Sequence, residues 1–140
     1  MSQIAANPYI NFQGQAREAL TFYHQALGGN LILLAMSSDG TLREAKEGES
    51  IMHGALMSDG LLIMGSDGNP EYPASKGDNV AIALSGDDFD RLSLAFEALS
   101  LGGAIRQPLQ KESWGDAHGK LTDAFGISWM VNITKNNSTE

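Results

Sequence analysis

The stretch SWGDAHGKLTDAFGISWMVNI, residues 113–133, decides how this chain is read. It carries His118-Gly119-Lys120-Leu121, passes through an Asp and Gly turn, and closes on a strand in which Trp129, Val131 and Ile133 alternate with Ser128, Met130 and Asn132. Successive side chains on a strand point to opposite faces, so the first set reads as the core side and the second as the other face of a sheet. The same phrase occurs earlier. His53-Gly54-Ala55-Leu56 runs through an Asp and Gly turn into LLIMGS, residues 61–66, where Met64 takes the place of Met130.

The duplication extends upstream. Tyr9-Ile10-Asn11-Phe12 precedes AREALTFYHQALGG, in which Ala16, Ala19, Leu20, Tyr23 and Leu27 recur at helical spacing before a Gly28-Gly29 stop. Val80-Ala81-Ile82-Ala83-Leu84 precedes DDFDRLSLAFEALSLGG, in which Phe89, Leu92, Phe96 and Leu99 form a similar stripe before Gly102-Gly103. Each half therefore predicts a β-α-β-β-β module, residues 7–67 and 79–135, joined by a Pro- and Gly-containing connector at 68–78. Two copies are too few for a solenoid. The predicted fold is α+β: two cupped mixed sheets with helices outside, paired edge to edge or facing a shared cavity. Val80, Ile82 and Leu84 are predicted under a helix, with Ala81, Ala83 and Ser85 on the other side. Met64, Ser66, Met130 and Asn132 are predicted on the inner side of the cup.

Composition bounds the function. The 140 residues are 42% hydrophobic, enough for one domain made of two modules. A net charge of -8, with nine Lys and Arg in all, argues against nucleic acid as a partner, because phosphate neutralisation needs cations. The absence of cysteine excludes disulfides, thiolate nucleophiles and iron-sulfur clusters. MSQIAANPYI has no secretory pattern and no stretch approaches a membrane span, so a cytoplasmic protein with no membrane partner is expected.

Several residues invite chemistry. Met64 and Met130 are either gap-filling core residues or the lining of a cavity. His53, with Ala55 and Met57 on its face, and His118, with Lys120 and Thr122, are either a metal-binding or proton-moving pair or two structural histidines. Trp114, Asp116 and His118 are either a ligand-closing cluster or a plain loop holding one buried tryptophan. His24 reads as surface, and the charged run 37–50 as a solvated loop or short helix. GDAHGKLT misses the spacing of a phosphate loop. The sequons at 132–134 and 136–138 are chance matches without a secretion signal.

The doubled module, the PYINFQGQAREALTFY opening, HGAL leading into LLIMGSD, and above all WGDAHGKLTDAFGISWMVNI together resemble the PhnB-like branch of the vicinal oxygen chelate superfamily, over residues 7–135. That superfamily includes glyoxalase I, bleomycin-resistance proteins and extradiol dioxygenases. The D-x-F-G-x-x-W motif at 123–129 is the most specific part. Some members of the branch carry a demethylubiquinone methyltransferase label, yet nothing here looks like a glycine-rich nucleotide-binding turn. The superfamily's metal positions fall at Asn7, Met64, Ala81 and Met130, none a usual ligand of a divalent ion, so the resemblance implies neither metal nor cofactor. It implies a homodimer that binds a small organic molecule in a largely apolar cavity, touching Met57, Met64, Ser66, Trp114, His118, Met130 and Asn132. His53, His118 and Asp116 are the catalytic candidates. Two alternatives stand: a metal-dependent lyase, isomerase or dioxygenase with a rearranged site around His53, His118 and Asp67 or Asp116, and an antibiotic-sequestering resistance protein. No Arg or Lys cluster marks a phosphonate pocket.

Overall fold

The computed structural model describes residues 3–135; the second sequon, at 136–138, lies outside them. The chain forms two compact units that divide between Ser75 and Lys76, inside the expected connector.

The first unit contains β1 (Tyr9–Asn11), α1 (Ala16–Leu27), β2 (Asn30–Met36), β3 (Leu42–Glu44), β4 (His53–Ser58) and β5 (Leu61–Ser66). They form a five-stranded sheet in the order β1-β5-β4-β2-β3, with β1 parallel to β5 and the other pairs antiparallel. The second unit contains β6 (Ile82–Gly86), α2 (Phe89–Ser100), β7 (Ala104–Lys111), β8 (Ala117–Thr122) and β9 (Ser128–Ile133), ordered β6-β9-β8-β7 with β6 parallel to β9. The α+β class and the mixed sheets stand as expected, but the first unit has one strand more than a β-α-β-β-β module. β3 lies in the charged run read as loop or helix.

Each helix packs one face of its own sheet. Ala16, Ala19, Leu20 and Tyr23 of α1 are fully buried, as are Leu56 and Ile63 beneath them. In the second unit Phe96 and Leu99 of α2 are buried with Leu121, Trp129, Val131 and Ile133. The glycine of each HG pair explains how closely the layers approach. A Cβ at Gly54 would strike Leu20 Cδ1, and one at Gly119 would lie 2.9 Å from Phe96 Cε2. Two expectations fail. Val80 is 79% exposed because β6 starts only at Ile82, and Phe89 is 57% exposed because it heads α2, before the helix reaches the sheet.

Buried and half-buried carboxylates fasten the turns. Asp123, the only buried charged residue among those described, accepts hydrogen bonds from the backbone N–H groups of Phe125 and Ile127 at 2.8 and 3.0 Å through Oδ1. Its Oδ2 accepts the Trp129 indole N–H at 2.8 Å. The D-x-F-G-x-x-W motif is thus a β8–β9 turn wired to the core tryptophan. In the first unit Asp67 accepts from Ala16 N at the start of α1 at 2.9 Å, and from Ser50 Oγ and Ile51 N at 3.1 and 2.7 Å. It supplies the cap that Gln15 does not. β3 and the loop after it are held by a bidentate Arg43–Glu49 pair at 2.7 and 2.6 Å, and Arg17 of α1 donates to the carbonyls of Lys46 and Glu49.

Two outcomes follow from these contacts. Asp123→Ala removes the shared acceptor of three hydrogen bonds, two of them from backbone, and lowers unfolding stability by about 3 kcal/mol in denaturant titration, since each buried bond lost costs about 1–3 kcal/mol. Hydrogen bonds from Arg43 and from Lys46 N, aided by both positive charges, hold the Glu49 carboxyl at about 2 against an ordinary 4.5. Because the folded value is the lower one, this contribution to stability is complete above the ordinary value and is lost as pH falls toward about 2. Carboxyl NMR titration checks it, and Arg43→Gln returns Glu49 toward the ordinary carboxylate range.

Candidate functional site

Strand register places the candidates in rows across the sheet faces turned away from the helices. In the first unit one row reads Tyr9, Met64, Ala55, Ile32, and the next contains Asn11 paired with Ser66 and His53 paired with Leu34. In the second unit the matching rows read Ala83, Met130, Lys120, Gln107 and Ser85, Asn132, His118, Gln110. Met64 and Met130 therefore hold equivalent places. So do His53 and His118, each two residues before the residue opposite its methionine. Both methionines are half-buried, on the face away from the helix rather than in the core.

The two faces differ in chemistry. In the first unit Met57 and Leu62 extend the apolar rows, and Met36 and Leu42 prolong them at the β2–β3 end; Met57, Met36 and Leu42 are exposed. In the second unit the corresponding face is lined by Gln107, Gln110, His118, Lys120, Thr122 and Asn132 around Met130, and Arg106 Nε donates to Thr122 Oγ1 at 3.1 Å. The apolar character expected of the ligand site belongs to the first unit.

One polar pair marks that apolar face. Tyr9 Oη lies 3.3 Å from His53 Nδ1, and the two rings stack with centroids 5.7 Å apart. Tyr9 is 53% exposed. A phenol and an imidazole in contact can bind a hydrogen-bonding group or pass a proton. Sequence reading missed Tyr9. Alternation in β1 puts Tyr9 and Asn11 opposite Ile10, but only the parallel β1–β5 register sets Tyr9 beside Met64.

The remaining candidates separate. Asp116 Oδ2 accepts from Asn132 Nδ2 and its Oδ1 from Lys135 N, both at 3.2 Å, so it ties the loop before β8 to the end of β9. His118 pairs with Asn132 in register, which brings Asp116, His118 and Asn132 together. Trp114 does not close over them as a buried ring; it is 64% exposed. His24 is half-buried rather than a free surface residue, with Nε2 2.9 Å from the Gly29 carbonyl.

The metal positions implied by the resemblance can be tested on their donors. Asn7 and Ala81 are exposed and precede β1 and β6 by two and one residues, so the strand neighbours of Met64 and Met130 are Tyr9 and Ala83. A thioether beside a phenol or a methyl group does not suit a hard divalent ion. Among the described residues no three or more His, Asp or Glu side chains gather closely enough to hold one. Asp67, offered for a rearranged site, already holds three donors. No helix among those residues is long and apolar enough to cross a membrane.

Comparisons agree with this architecture. The chain is 34% identical to protein PA1353 from Pseudomonas aeruginosa, whose crystal structure matches with a TM-score of 0.81 over 96% of this chain and 100% of that one. It is 27% identical to protein YjdN of Escherichia coli, over 96% of this chain and 98% of its relative. A Bacillus cereus PhnB protein, a putative 3-demethylubiquinone-9 3-methyltransferase, shares the fold with a TM-score of 0.72 at 20% identity, over 94% of this chain and 100% of that one. The profile of the 3-demethylubiquinone-9 3-methyltransferase family matches residues 5–132. A glyoxalase-related enzyme from Fulvimarina pelagi shares the fold alone, with a TM-score of 0.62 at 14% identity over 95% of this chain and 89% of that one. By the family match, the chain belongs to the 3-demethylubiquinone-9 3-methyltransferase family.

Proposed function

We propose that this protein binds a small organic molecule on the open face of its first sheet without a metal ion, and that it works as a homodimer. The observation that carries the reading is the row Tyr9, Met64, Ala55, Ile32, an apolar surface with one hydrogen-bonding pair at its edge. Ligand sites are mostly apolar with a few placed polar groups, and a contiguous exposed apolar patch marks a surface that something covers. The Tyr9–His53 pair orients the ligand's polar group, Met57 and Met64 contact its apolar body, and Ser66 borders the pair. A second copy shields the rest of the face.

Methyl transfer, which the family description names, gains no support from these faces. Neither does the rearranged metal enzyme, because Asp67 and Asp116 are engaged in holding loops. Sequestration of an antibiotic uses the same apolar surface and differs only in the ligand.

Small molecules released from the purified protein and identified by mass spectrometry test the reading. The wild type carries a ligand that Met64→Lys reduces at least about tenfold, since a charge inside an apolar site is costly to desolvate. A ligand retained in full by Met64→Lys, with its fold intact by thermal melting, overturns the assignment. In the same melts the midpoint of the wild type does not move with added magnesium, manganese, nickel or zinc, because an ion that does not bind the folded state cannot stabilise it. Light scattering at micromolar concentration gives twice the 14.9 kDa chain mass. Stoichiometric metal that is lost in His53→Ala and His118→Ala favours the metal enzyme instead.

A further inference from the structure

On the helix side of the second sheet, away from the faces just described, lies a cleft of about 740 Å³ between α2 and β7. Its walls are Phe89, Ser93 and Phe96 of α2 and Ile105, Pro108 and Leu109 of β7. The volume is that of a site for a small organic ligand, commonly ~300–1,000 Å³.

The duplication is incomplete here. In the first unit the segment after β3 runs along β2 and is tied to α1: Ala45 N donates to the Leu33 carbonyl, Met52 N to the Leu34 carbonyl, and Arg17 of α1 grips Lys46 and Glu49. In the second unit β7 and β8 are joined by residues 112–116 alone, and β7 shifts register twice, between Ile105 and Gln107 and between Gln107 and Gln110. Ile105 is left 52% exposed at the cleft.

Three polar features give it direction. At one end stand Lys111, which closes β7, and Lys135, just past β9, neither in an ion pair among the described residues. The α2 N-terminus is at this end, since Thr134 N donates to the Gly86 carbonyl. The Asp88 carboxylate caps it by accepting from Arg91 N, and Asp90 lies in its first turn, so the positive charge of this end comes from the two lysines. Asp87 borders the same end and offsets part of the charge; Glu97, two turns along α2 from Phe89, makes the other end acidic. Between them the Ser93 hydroxyl is buried with no hydrogen-bond partner among the described residues. An unmet buried hydroxyl is unfavourable, and rotation about χ1 is its one means of reaching a partner in the cleft.

We propose that this cleft is a second binding site, for a small amphipathic monocarboxylate bearing one further polar oxygen. The carboxylate lies at Lys111 and Lys135, the second oxygen accepts from Ser93, and the apolar body rests on Phe89, Phe96, Ile105 and Leu109. The acidic Glu97 end fixes the polarity of entry.

The test uses 4-oxo-4-phenylbutanoate, its primary amide and 4-phenylbutanoate as probes, titrated into the full chain by NMR. The keto acid binds saturably, about tenfold more tightly than the amide, and Lys111→Gln with Lys135→Gln abolishes that preference, because a charge pair at an apolar mouth discriminates on this scale. Ser93→Ala raises the thermal midpoint yet removes the preference for the keto acid over 4-phenylbutanoate, a pair of changes that a purely structural serine does not give. Ile105→Asn, at an exposed position, weakens both acids about fivefold. Met64→Lys leaves all three affinities unchanged, which separates this site from the open face of the first sheet. Absence of saturation at millimolar probe, equal binding of acid and amide, or loss of binding in Met64→Lys overturns the proposal. So does a change of oligomeric state in Ile105→Asn without any probe binding, which gives the cleft to a second copy.

Discussion

The Asp123 carboxylate organises the second unit. One oxygen gathers two backbone N–H groups of the turn, and the other takes the indole N–H of Trp129, a side chain with no exposure to solvent. A buried carboxylate costs several kcal/mol to desolvate unless it is well hydrogen-bonded, and here three donors meet it. Fixing Trp129 fixes the phase of β9. That phase in turn decides that Val131 and Ile133 go under α2 while Met130 and Asn132 go to the open face. The first unit uses another device at its own end: Asp67 joins the end of β5 to the start of α1 and to Ile51. The two units share a strand pattern and fasten it with carboxylates placed differently.

Much of this was legible from periodicity. Trp129, Val131, Phe96 and Leu99 were read as core, and the equivalence of the two HG strands follows from sequence alone. The failures have local physical causes. Val80 alternates correctly but lies before the first paired residue of β6, so it has no sheet beneath it. β3 escaped notice because its three residues gain their place from pairing with β2 and from the Arg43–Glu49 ion pair, neither of which leaves a period in the sequence. The glycine after each histidine is legible only as a repeated member of the HG strand; its function is to admit a Leu20 methyl group or the Phe96 ring against the sheet.

The site was legible only in part. Alternation put Met57, Met64 and Ser66 on one face, but Tyr9 enters through the parallel pairing of β1 with β5, which the sequence does not print. Duplication also misled in one respect. Equal positions of Met64 and Met130 suggested equal walls, whereas their neighbours in register are Tyr9 and Ala55 in one unit and Ala83 and Lys120 in the other. Core positions are constrained by packing density, which is felt to within a methylene, while open-face positions answer to whatever meets them.

β3 and β7 each end their sheet, and neither is suited to receive another strand. β3 is three residues long and is followed by a loop tied down by Arg17 and Arg43. β7 contains Pro108, which has no N–H to offer, two register shifts, and the charged Arg106 and Lys111. A strand approaching either border would find a broken ladder and a charged margin. Copies of this chain crowded together during synthesis therefore gain little by zipping along β3 or β7, which closes two of the four sheet borders of the described residues to fibrous self-association.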